Sequence, residues 1–162
     1  MRRIDSSARI SKLSDIEESI RGSKLTILSG TVVDSFVKIK FVGGLGDVSI
    51  GSNCYLNSGS VLYSGNGISI GNDVLIAANC TIAATGHQYI ESSKSIRSQG
   101  FLDSLGGVLI EDDVWIGANS VILDGTVIRK GAVVGANSLV RGELISNGIY
   151  SGSPVRLLGF RE

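Results

Sequence analysis

Residues 110–140 read IEDDVWIGANSVILDGTVIRKGAVVGANSLV, and in them Ile110, Ile116, Ile122, Ile128, Val134 and Val140 recur at a constant step of six. Four residues after each of the first five stands a short side chain: Val114, Ser120, Thr126, Ala132 and Ser138. An amphipathic helix would place its apolar residues at steps of three and four, and a half-buried strand at steps of two. A step of six fits a short strand followed by a tight corner. The same register runs upstream through Ile27, Val33 and Ile39, through Ile50, Leu56 and Leu62, and through Ile70, Ile76 and Ile82.

The interruptions carry as much information as the step. Ile27, Ile50, Ile70, Ile110 and Ile128 each open a set of three hexads, so three sides make one coil. Every extra stretch falls on the third side: GGLG at 43–46, SGNG at 64–67, and a long excursion from about Gly86 to Gly107. The expected fold is all-β, a triangular prism of single-stranded parallel β-helix with its loops on one edge. Each coil would stack its apolar residue on the next coil's, since no single coil can bury its own face. The expected organisation is an N-terminal segment over 1–24, the coil over 25–144 and a tail closing it over 145–162. Ser14 with Glu17 has the spacing of a capping box, and Gly22 would end the short helix it opens. The competing reading continues the six-step through Ile4, Ile10 and Ile16. The helix is favoured.

Composition narrows function. Fifteen Lys plus Arg balance fifteen Asp plus Glu, so no global basic field draws nucleic acid or an anionic membrane. No run is long and apolar enough for a signal peptide or a bilayer span, which points to the cytosol. Twenty-two glycines against one proline suit a short repeating unit. The single histidine, His87, excludes the three-ligand zinc site of a carbonic-anhydrase-like hydratase. Cys54 and Cys80 each lie four after a column residue, where the repeat wants a small buried side chain. They fall on different sides of successive coils, so no disulfide is expected.

The chain resembles the hexapeptide-repeat acyltransferases, and within them the maltose/galactoside O-acetyltransferase type. The resemblance rests on YLN at 55–57, SIGNDVLIAANCTIAATGH at 69–87, DVWIGANSVI at 113–122 and YSGSPVR at 150–156. It implies a left-handed coil, a homotrimer with active sites between subunits, and acetyl-CoA as cosubstrate without a metal. It implies that His87, five residues beyond Ile82 and outside the columns, is the general base. An alcohol is a poor nucleophile until its proton is taken as the new C–O bond forms, and an imidazole is largely neutral near pH 7. Trp115 stands five after Ile110, faces outward, and matches a residue beside both substrates. Asn57, with Tyr55, matches an acceptor-holding position. Ala118 and Ala136 match residues lining the pantetheine arm, and Arg156 a cation near its phosphates. The segment 141–147, RGELISN, lacks the family's lysine and prolines there, leaving Arg141 as the cation available to the cofactor. The expected activity is acetyl transfer to a hydroxyl of a sugar or glycan precursor. Transfer to an amino sugar, nucleotide-linked or not, is the alternative, and a non-catalytic scaffold a distant one.

Overall fold

The six-step becomes three flat faces. In the computed structural model, which describes residues 1–162, the first face stacks Arg2–Ile4, Leu25–Ile27, Val48–Ile50, Ile68–Ile70, Val108–Ile110, Thr126–Ile128 and Glu143–Leu144. The second stacks Arg9–Ile10, Val32–Val33, Tyr55–Leu56, Leu75–Ile76, Trp115–Ile116, Val133–Val134 and Gly148–Ser151. The third runs from Asp15–Ile16 through Lys38–Lys40, Val61–Tyr63, Thr81–Ala83 and Val121–Leu123 to Leu139–Val140. All coil-to-coil pairs are parallel, and column residues meet in register: Ile50 with Ile70, Leu56 with Ile76, Leu62 with Ile82. Only Arg156–Phe160 turns back, antiparallel on Gly148–Ser151, and closes the end of the second face. No helix is long and apolar enough to cross a membrane.

The columns fill the prism. Ile27, Ile50, Leu56, Leu62, Ile76, Ile82, Ile110, Ile116, Ile122 and Ile128 are fully buried, each stabilising by roughly 1.5–3 kcal/mol relative to exposure. The short residues four positions on are buried too, and those with a donor spend it on the next coil. Thr31 Oγ1 donates to Gly51 O at 2.7 Å, Ser60 Oγ to Ala77 O at 3.1 Å and Ser120 Oγ to Gly135 O at 3.1 Å. Cys54 Sγ to Gly71 O at 3.1 Å and Cys80 Sγ to Gly117 O at 3.3 Å continue the series. The thiols therefore replace hydroxyls in a structural ladder. Burial pushes both of them above the ordinary thiol pKa.

Corners need a left-handed residue, which Asn, Asp and Gly adopt at least cost. Asn53, Asp73 and Asp113 supply it between the first and second faces, and Asn79, Asn119 and Asn137 between the second and third, all with φ of 57–59°. Gly117 answers a different demand, because a Cβ there would lie 2.5 Å from Ala136 N. Phe36 breaks the corner rule: φ is 63° in a side chain that is 61% exposed.

The N-terminal expectation needs correcting. Ser14–Gly22 is not a helix; the six-step reading holds, and coiling starts at Arg2–Ile4. Ile4, Ile10 and Ile16 pair with Ile27, Val33 and Ile39. A ladder partner was available to satisfy the backbone, and it outweighs local capping preference. Glu17, instead of closing a capping box, accepts from Phe41 N at 3.2 Å and pairs with Lys40 at 3.0 Å. The one helical turn of the chain, Ile96–Gln99, lies inside the excursion. Insertions 43–46, 64–67 and 86–107 all join the third face to the first, as the register implied.

Candidate active site

His87 leaves the prism just beyond Thr81–Ala83, where the excursion folds on itself. His87 bridges Phe101 in antiparallel fashion, Gln88 N donates to Gly100 O at 3.0 Å, and Leu102 N donates to Gly86 O at 2.8 Å. The imidazole stacks on the Phe101 ring with centroids 4.8 Å apart and planes 24° apart. Its Nδ1 lies 3.2 Å from Gly100 O. A carbonyl only accepts, so this pairing assigns a proton to Nδ1, and in the neutral ring that leaves the lone pair on Nε2. A histidine thus held by one nitrogen presents the other as a base.

The return of the excursion is pinned by one carboxylate. Asp124, 8% exposed in the turn after Val121–Leu123, accepts from Leu105 N, Gly107 N and Asn66 Nδ2, each at 2.9 Å. This bond set ties 105–107 both to a later coil and to the shorter 64–67 insertion.

His87 stands between two cavities along the prism axis. Toward the C-terminal coils, a cavity of about 400 Å³ is lined by His87, Tyr89, Leu105, Leu123, Asp124 and Arg141. Toward the N-terminal coils, one of about 330 Å³ is lined by His87, Val42, Tyr63, Ala83, Thr85 and Phe101. The structure thus brings together His87 and Arg141.

The other residues singled out in the sequence lie elsewhere on the same chain. Tyr55 and Trp115 form one outward row on the second face, in register with Leu75 between them and Val133 beyond. Trp115 is 51% exposed and lines neither cavity beside His87. Asn57 follows that face, and its Nδ2 donates to Ile76 O at 3.0 Å. Ala118 and Ala136 stack at the same corner, where Asn137 N donates to Ala118 O at 2.9 Å. Arg156 is exposed on the closing hairpin. No three His, Cys, Asp or Glu side chains group to hold a metal ion. Tyr63, Phe101 and Asp124 were not singled out from the sequence. Tyr63 alone left a signal, as an aromatic one residue past column residue Leu62, the outward position that Asn57 holds after Leu56.

Comparison with known proteins agrees with this architecture. Residues 107–142 match the family described as bacterial transferase hexapeptide (six repeats), and residues 47–84 match the hexapeptide repeat of succinyl-transferase. WbbJ of Escherichia coli (strain K12), provisionally named a lipopolysaccharide biosynthesis O-acetyl transferase, is 30% identical over 142 residues, 85% of this chain and 69% of WbbJ. Galactoside O-acetyltransferase of the same organism is 33% identical over 69% of this chain, which spans only 53% of that enzyme. The S84A mutant of AntD, an N-acyltransferase from Bacillus cereus in complex with dTDP-4-amino-4,6-dideoxyglucose and coenzyme A, has TM-score 0.81 and 27% identity, covering 99% of this chain and 84% of AntD. The chain belongs to the hexapeptide-repeat acyltransferases, and its coil is the left-handed parallel β-helix of that family.

Proposed function

We propose that the chain transfers an acetyl group from acetyl-CoA to a hydroxyl of a sugar or glycan precursor in the cytosol, with His87 as general base. The observation that carries this reading is the imidazole itself, fixed through Nδ1 on Gly100 O with Nε2 free beside two cavities. In the reaction Nε2 takes the acceptor's hydroxyl proton while the oxygen attacks the thioester carbonyl. The C–O bond forms, the C–S bond breaks, and the imidazolium returns its proton to the departing sulfur. Arg141 suits the cofactor side, where a guanidinium pairs with phosphate oxygens. The small corner built by Ala118 and Ala136 leaves room for a slender arm, and Arg156 is exposed for a phosphate beyond it.

The arrangement favours a homotrimer. Each cavity beside His87 is open in a single chain, while on another face Trp115 stands 51% exposed in the same outward row as the half-buried Tyr55. Packing that face against a neighbour's His87 edge covers both and sets Trp115, Tyr55 and Asn57 at the cleft. The galactoside and lipopolysaccharide relatives favour a sugar hydroxyl, whereas the likeness to AntD favours an amine on a sugar.

The test is release of free CoA from acetyl-CoA across neutral sugars, amino sugars and nucleotide sugars, with His87→Ala in parallel. Histidine-dependent release with neutral sugars is expected, and the variant should lose about 10²–10⁴-fold in turnover. Release with amino sugars alone would select N-transfer, and near-wild-type turnover in His87→Ala would sink the base assignment.

A further inference from the structure

We infer that Tyr63 is the platform of the acceptor subsite, and that the unit lying on it next to His87 is an uncharged sugar ring. The inference rests on the acyl-transfer reading of His87 and adds what that base works on. His87 divides its edge of the prism. On one side its neighbours belong to the later coils, Leu123 and Arg141; on the other they belong to earlier ones, Val42 and Tyr63. The residues proposed for the cofactor, Ala118, Ala136, Arg141 and Arg156, all come from the later coils, so the thioester approaches His87 from there. The remaining space beside Nε2 is the earlier cavity. Tyr63 shares its coil with Tyr55 and Asn57, the proposed acceptor contacts.

The lining of this cavity states what it accepts. Leu62 points into the core, so Tyr63, next along Val61–Tyr63, points out and is 37% exposed. Its ring faces a volume also bounded by Val42, Ala83 and Phe101, the ring already stacked on His87. At about 330 Å³ the cavity falls in the small-ligand range of roughly 300–1,000 Å³. None of its lining residues is a fixed cation. Lys40 is in register with Tyr63 but is held by Asp15 at 2.7 Å and Glu17 at 3.0 Å, and Arg21 Nη2 donates to Phe41 O at 3.4 Å. Lys38 lies at the other end of that strand, in register with Val61. A phosphate or carboxylate on the reacting ring would lose its water here without gaining a cation, since Trp115, Tyr55 and Asn57, the residues proposed to complete the cleft, are uncharged too. A neutral sugar loses little, because the apolar C–H face of its ring stacks on an aromatic surface while its hydroxyls stay solvated or reach His87.

The experiment uses the full-length protein and neutral methyl glycosides, each beside its uronate and phosphate counterparts. Tyr63→Ala should raise the KM of the best neutral glycoside about tenfold, with kcat within about threefold and the KM of acetyl-CoA unchanged. Tyr63→Phe should stay within about twofold of wild type, because the ring acts and not the hydroxyl. The charged counterparts should show kcat/KM at least about tenfold lower. An unchanged KM in Tyr63→Ala, a Tyr63→Phe variant as impaired as Tyr63→Ala, or charged sugars used as well as neutral ones would each overturn the inference. Silence from every neutral glycoside with acetyl-CoA still bound overturns it equally. Failure of the underlying reading looks different: His87→Ala would stay active while Tyr63→Ala still shifted acceptor binding, measured by calorimetry without turnover.

Discussion

Replacing Asp124 with alanine removes the only partner that the Leu105 and Gly107 amides share, and releases the Asn66 side chain with them. A hydrogen bond to a charged group contributes about 1.5–3 kcal/mol, and the three here are coupled through one carboxylate. Counting one bond's worth against local opening of the 105–107 return, amide exchange at Leu105 and Gly107 should quicken about 10- to 150-fold, at tenfold per 1.4 kcal/mol. Ile122 and Ile128, the column residues on either side, take no part in these three hydrogen bonds, so amides in Val121–Leu123 and Thr126–Ile128 should keep their protection and the melting temperature should move by only a few degrees. Asp124→Asn, which keeps one accepting oxygen, should fall between. Residue-resolved hydrogen exchange reads all three variants. Unchanged exchange at 105 and 107, or loss of protection along the whole coil, would refute the claim that this carboxylate holds the excursion locally.

Three further outcomes follow from the packing. Phe36→Asn should raise stability by about 1 kcal/mol in urea unfolding, since a left-handed backbone costs a non-glycine residue roughly 1–2 kcal/mol and the exposed ring has little burial to lose; a destabilised variant would contradict this. The hydrogen bond from Lys40 holds the Asp15 carboxyl below its ordinary pKa, and that from Arg129 does the same for Glu111. Their contribution is therefore present above about pH 4, the unfolded carboxylate range, and is lost as pH falls through the lowered folded values. The urea midpoint should drop below pH 4 less steeply in Lys40→Met and Arg129→Met than in wild type. Cys54 and Cys80, buried with raised pKa, should leave a thiol reagent unreacted until the protein unfolds, and a fast equivalent in the native state would contradict their placement.

The repeat was legible because its period is longer than any local competitor's and because each break left the register intact on the far side. Ile10, Ile16 and Ile4 carried the same step, but Ser14 and Glu17 also carried a helix signal, and the sequence holds no trace of the Lys40 and Phe41 partners that decide between them. His87 stood out by being alone and off the columns. Its orientation was not legible: Gly100 and Phe101 lie thirteen and fourteen residues away, and only the folded excursion brings them to the ring. Tyr63 was hidden for the opposite reason, since an aromatic on an outward strand position looks like ordinary surface until a loop from another coil roofs it.

The confinement of every insertion to one edge separates two kinds of heredity in this chain. Ile70 pairs with Ile110 beyond the excursion in the same register as with Ile50 before it, so the stack does not register how much sequence intervenes. Segments can be lengthened, shortened or exchanged between relatives at 43–46, 64–67 or 86–107 while the prism is copied unchanged. On the acyl-transfer reading proposed for His87, a change of acceptor then requires no new fold, only a different segment after an old imidazole, and hybrids joined beyond His87 and at Gly107 are the natural route to reprogramming it.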